Sequence, residues 1–196
     1  MMQDPSPFAE ANFALEHTRF MNVEGLVEFL LLHVAGMDLT DPQTKDTPAR
    51  FVKALHELTT AEEFEFTTFD VDVDQMIIVK DINFASLCKH HVLPFTGTCH
   101  VGYVSDGKIA GISKIPRLVS RCAAGLSTQE ELTDMIALAL ESHLHPQGVA
   151  VVMEAQHTCM SIRGARSSGV TRTMSITGVY KDHSRQAKME FLEGIR

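Results

Sequence analysis

The chain has no excess of positive charge: 25 acidic residues stand against 17 Lys and Arg, for a formal net charge of −8. No global positive field draws in a phosphate backbone, so general nucleic-acid binding is not expected, and an anionic ligand needs a local basic pocket. No apolar run approaches the length that spans a bilayer, and the opening MMQDPSPFAEANF lacks the basic and apolar regions of a secretory signal. Neither a membrane protein nor a secreted one is expected; the chain reads as cytoplasmic. A repeat at solenoid spacing and a low-complexity linker are both missing. Cysteine is sparse. In a reducing compartment Cys88, Cys99, Cys122 and Cys159 read as free thiols or metal ligands rather than as two disulfides.

What is present fits an ordinary globular chain, with 196 residues, 44% hydrophobic and 21% charged. That length suits one core with a small N-terminal appendage. Apolar residues at three- and four-residue spacing predict helices over Ser6–Met21 and Val23–Met37, broken near Asn22. Asp46 or Thr47 with Pro48 behind it predicts a further helix over Pro48–Leu58. From Phe64 the pattern changes to short β-prone runs, with Asp106-Gly107 marking a hairpin turn. Helical periodicity returns over Ile115–Ala124 and Ser127–His143, where Ser127 and Glu130 have the spacing of a capping box. Two more strands, GVAVVMEAQHTC and TRTMSITGVYK, and a closing helix, SRQAKMEFLEGIR, complete the order. The expected class is α+β, an antiparallel sheet with helices packed on one face. An N-terminal helical region over 1–62 would precede a catalytic domain over 63–196.

Chemistry-bearing residues gather in a few short stretches. Cys88 and His91 form a C-x-x-H step, and Cys159 follows at the end of another strand; thiolate and imidazole together suit zinc. Three protein ligands with a fourth position for water is a catalytic arrangement, and it leaves His90 and His157 for proton transfer. Buried packing cysteines are the alternative. Ser113, Lys114 and Arg117 fall at a strand-to-helix junction able to hold phosphate, or form an ordinary basic loop. Gln129 and Glu130 place an amide beside a carboxylate, which can accept both N–H groups of a guanine edge or simply complement a helix dipole. Arg163 follows Cys159 by one helical turn's spacing, and Arg50 and Lys53 share a face of their helix, where a solvated surface is the plainer reading.

Taken together, DTPAR, HVLPFTGTCHVGYV, GISKIPRLV, TQEEL and HTCMSIRG, in that order from Asp46 to Asp182, resemble the GTP cyclohydrolase I family. The resemblance implies a tunnelling fold assembling into a toroidal decamer with active sites at subunit interfaces. It implies Cys88, His91 and Cys159 as Zn2+ ligands, with His90, His157 and Ser113 as catalytic residues. Glu130, assisted by Gln129, would anchor guanine, and Ser113, Lys114, Arg117 and Arg163 would contact ribose and triphosphate. Arg50 and Lys53 would reach triphosphate across a subunit boundary. The implied reaction is hydrolysis of GTP at C8 by a zinc-activated water, giving 7,8-dihydroneopterin triphosphate and formate at the start of pterin and tetrahydrofolate biosynthesis.

Two departures stand out. Family members usually read Cys-Glu-His-His where this chain has Cys88-Lys89-His90-His91, and R-x-Q-x-Q-E-R where it has Gly125-Leu-Ser-Thr-Gln-Glu-Glu131. An ion pair with its signs exchanged, Lys89 to Glu131, would account for two of these changes together, although Lys lacks the planar fork of Arg. A relative acting on another purine nucleotide, or a silent pterin-binding or regulatory protein, are the alternatives. The complete ligand set and the His pair speak against the silent one.

Overall fold

The computed structural model describes residues 22–72, 74–183 and 185–196, so the helix expected over Ser6–Met21 lies outside the described residues. The chain divides into two compact units at Glu57/Leu58. In the first unit, α1 (Val23–His33) starts where Asn22 Oδ1 accepts from the Gly25 N–H at 2.8 Å. α2 (Thr47–Thr59) carries Pro48 at its second residue, one turn position where a missing N–H costs nothing. No helix among the described residues is long and apolar enough to cross a membrane.

The second unit is built on a five-stranded sheet in the order β5-β2-β3-β6-β7, from β2 (Met76–Cys88), β3 (Leu93–Val104), β5 (Leu126–Ser127), β6 (Gly148–His157) and β7 (Val170–Ile176). Every pairing is antiparallel except β5 with β2, which is parallel and joins Leu87 to Leu126 and Cys88 to Ser127. Two helices, α3 (Lys114–Ala123) and α4 (Gln129–Leu144), supply the apolar layer on one face. Val149, Val151 and Met153 of β6 meet Ile115, Leu118, Leu132, Ile136 and Leu140 there. Each fully buried side chain of this kind contributes roughly 1.5–3 kcal/mol.

The alternate residues of β6, Ala150 and Val152, face a second cluster with Tyr180 and Phe191. Those rings come from a 3-10 turn (Gly178–Lys181) and the closing helix α6 (Gln186–Gly194), which therefore cover the opposite face. Cover on both sides explains why GVAVVMEA reads as one apolar run rather than an alternation. Gly102 makes room for this packing, since a Cβ there would lie 2.6 Å from Phe191 Cδ2.

Two local expectations change. Asp106-Gly107 does turn the chain between β3 and β4 (Lys108–Ala110), but β4 pairs with β1 (Thr68–Asp70), not with β3. β3 already has β2 on one side and β6 on the other, so it has no free edge to offer. The capping box also moves by one residue: Thr128 is the cap and Glu131 its partner, because Ser127 is held extended beside Cys88 in β5.

Candidate metal centre

The end of β2 and the end of β6 converge because both strands flank β3, whose Leu93 and Phe95 pair with Cys88 and His157 respectively. Past Cys88 the chain makes a tight turn, with the N–H groups of His91 and Val92 donating to the Cys88 carbonyl at 3.2 and 2.8 Å. Val92 pays for that closure with φ +55, a strained conformation for a β-branched residue. Past His157 a short helix, α5 (Thr158–Ser161), is pinned by Thr158 Oγ1 donating to the Pro94 carbonyl at 2.6 Å. These two turns bring the ligand atoms of Cys88, His91 and Cys159 within 4.8 Å of one another.

The donor chemistry fits a metal cation. Burial first, and then the neighbouring Cys88 thiol, push the Cys159 thiol above its ordinary range, with Arg163 pulling the other way. Two thiols that oppose each other's ionisation are stabilised together by a dication between them. All four cysteines are free, and Cys99 is a buried packing residue whose thiol is raised to about 12 by burial. His90 also lies beside the cluster, its Nδ1 3.7 Å from Cys88 Sγ against 4.0 Å for His91 Nδ1.

His157 is held from two sides. Its ring stacks on Phe95 with centroids 4.7 Å apart and planes within 3°. Its Nε2 lies 2.8 Å from Gln129 Oε1. Gln129 is 1% exposed, and its amide nitrogen is 3.1 Å from the Met153 carbonyl, 3.0 Å from the Thr171 carbonyl and 3.1 Å from Thr173 Oγ1. Carbonyls only accept, so the amide nitrogen must face them and the amide oxygen must face His157. His157 therefore donates from Nε2. Burial holds its imidazole below the ordinary value of 6.5, opposed by Glu130.

The Gln129 amide makes all of these contacts inside the protein and holds His157 in place. Glu130, relieved of capping by Glu131, is exposed and close enough to His157 to act on its ionisation. Glu131 takes the Lys89 ammonium as the exchanged-sign pair requires and accepts the Thr128 N–H at 3.1 Å; Lys89 first, and then Thr128, hold its carboxyl below the usual range.

Arg163 reaches the cluster, its Nη1 3.4 Å from the Cys159 carbonyl. Ser113, Lys114 and Arg117 are grouped at the start of α3, and β5, whose Ser127 pairs with Cys88, follows the end of that helix. Arg50 and Lys53 belong to the first unit, where they pair with Asp46 at 3.4 Å and Glu57 at 3.8 Å. Sequence reading missed Phe95, Thr128 and Thr173, since nothing in their spacing marks them; the register of β3, β6 and β7 marks Phe95 and Thr173, and the start of α4 marks Thr128.

The sequence matches the GTP cyclohydrolase I family over residues 26–196. It is 41% identical over 172 residues to a GTP cyclohydrolase 1 of Methylococcus capsulatus, covering 84% of this chain and 92% of that protein. A GTP cyclohydrolase 1 of Hydrogenobaculum is 42% identical over 177 residues, with 89% and 96% covered. The GTP cyclohydrolase 1 of Saccharomyces cerevisiae is 37% identical over 196 residues, with 96% and 80% covered.

Proposed function

The chain belongs to the GTP cyclohydrolase I family, and from that premise we propose that it hydrolyses GTP at C8 to 7,8-dihydroneopterin triphosphate and formate. The observation that carries the proposal is the convergence of Cys88, His91 and Cys159 within 4.8 Å, beside two histidines and an exposed carboxylate. Two thiolates and an imidazole suit zinc. When bound, zinc supplies the Lewis acidity that activates water at neutral pH.

The protein's own groups do the rest. The Glu130 carboxylate accepts the paired N–H groups of the guanine edge and so aims C8 at the metal end of the site. His157, with Nε2 committed to Gln129, takes up and releases its proton at Nδ1, and His90 is the second proton carrier. Between them they protonate the imidazole nitrogen as the ring opens and remove the proton as formate leaves. Ser113 serves the later proton transfers on the ribose. Arg163, Lys114 and Arg117, with Arg50 and Lys53, neutralise the triphosphate.

A site of this reach is completed between copies of the chain. Ser113, Lys114 and Arg117, grouped at the start of α3, serve the site of a neighbouring copy. We take the assembly to be the family's toroidal decamer, located in the cytoplasm, with 63–196 as its catalytic domain and 1–62 as a helical region. The test is to strip the protein with a chelator, reload it with Zn2+, and measure formate and the fluorescence of oxidised neopterin from GTP. Product from the reloaded protein and none from the stripped one is expected; no product after reloading would overturn the proposal.

A further inference from the structure

We infer that Lys89 is a positioning residue that, with Glu131, straps the metal-ligand turn to the start of α4. The inference deepens the activity proposed above and rests on it for its kinetic part only. Lys89 grips the 127–131 stretch twice. Its main-chain N–H donates to the Ser127 carbonyl at 3.2 Å, and its ammonium pairs with Glu131 Oε1. Glu131 is a fixed anchor for it, because Oε2 accepts the Thr128 N–H and the Glu131 N–H donates back to Thr128 Oγ1, both at 3.1 Å.

The reason such a strap matters is the weakness of what lies beneath it. β5 is two residues long and parallel to β2, a pairing with little holding power of its own. On one side of this short ladder are Cys88 and the turn to His91. On the other are Gln129, which holds His157, and Glu130, the purine anchor of the proposed function. The strap fixes the spacing between the metal ligands and these two residues at the point where the backbone alone holds least.

Charge alone and the strap predict opposite signs, which makes the test sharp. On charge alone, Lys89→Met removes a cation beside a metal dication and should tighten Zn2+ binding, whereas Glu131→Gln should weaken it. The strap requires both to weaken it, by about tenfold, the lower end of what outer partners of metal ligands contribute. The double substitution should be no worse than either single one, because both break the same link. Lys89→Arg keeps charge and donor and should stay within about twofold of the native affinity. In turnover, both single variants should lose kcat more than they raise KM, as expected when reacting groups are misaligned rather than unbound.

The measurement is competition for Zn2+ against a chromophoric chelator on the full-length protein, with thermal unfolding as the control for folding. Both residues are half-exposed, so the melting temperature should hardly move. Tighter or unchanged Zn2+ binding in Lys89→Met, or multiplying effects in the double variant, would overturn the inference. If native protein failed to turn over GTP while the chelator competition showed the shared loss, the strap would stand and the GTP reading would fall.

Discussion

Gln129 Oε1 accepts a hydrogen bond from His157 Nε2 at 2.8 Å, and the amide cannot turn over because its nitrogen faces two main-chain carbonyls. The tautomer of a site histidine is thus set by a buried residue on another element. Long-range 1H–15N spectra should show Nε2 of His157 protonated and Nδ1 bare in the neutral ring. Gln129→Leu leaves the Met153 and Thr171 carbonyls without this donor and should cost about 3 kcal/mol in urea unfolding, since each buried unsatisfied group costs about 1–3 kcal/mol. A bare Nε2 in the native protein would show that the deduction is wrong.

The adjacent histidines should separate cleanly. His91→Ala should drop bound zinc well below one ion per chain, measured by atomic absorption after gel filtration. His90→Ala should keep its zinc and lose kcat by about 10²–10⁴-fold, the usual worth of a positioned proton carrier. The opposite pattern would exchange their roles, which the nearly equal distances of the two rings from Cys88 Sγ make a pointed question.

Glu130→Gln keeps the size of the side chain and one acceptor but removes the charge proposed to pair with the purine donors. Hydrogen bonds to charged groups contribute about 1.5–3 kcal/mol, so kcat/KM for GTP should fall by about 10–100-fold. Bound zinc should be unchanged. An effect below twofold would move the purine anchor elsewhere.

Stability should fall on the acid side partly through His100. This ring is buried in the sheet, with Nδ1 accepting the Asp81 N–H at 3.2 Å. Burial lowers its pKa below 6.5, outweighing the pull of Asp81 and Glu154, while Arg172 and Lys80 push the same way as burial. Above 6.5 the ring is neutral in both states and its contribution is complete. Below 6.5 the unfolded chain takes up the proton first, so stability declines until the folded-state pKa is also passed. His100→Asn, which keeps an acceptor near the Nδ1 position, should flatten the urea midpoint against pH in that window; an unchanged slope would contradict the assignment.

The cluster of Cys88, His91 and Cys159 was legible in the sequence because C-x-x-H and the HTC step carry a chemistry that few other patterns share, and the strands around them show plainly in β-prone runs. Pairing partners were not. Asp106-Gly107 signals a turn whichever strand comes next, and only the occupied edges of β3 decide that β4 goes to β1. The capping box slipped by one because Ser127 and Thr128 are both good caps locally, and the choice is made by Cys88 across a two-residue ladder. Gln129 reads as a ligand contact in one dimension, and its buried contact with His157 shows only in three.

The most direct measurement follows the carbon that the reaction removes. Zinc-loaded protein given GTP labelled with 13C at C8 should release the label as formate, one equivalent for each pterin formed, as seen by 13C NMR beside the pterin absorbance. Label that stays in the purine with zinc bound at one ion per chain would contradict the account at its centre.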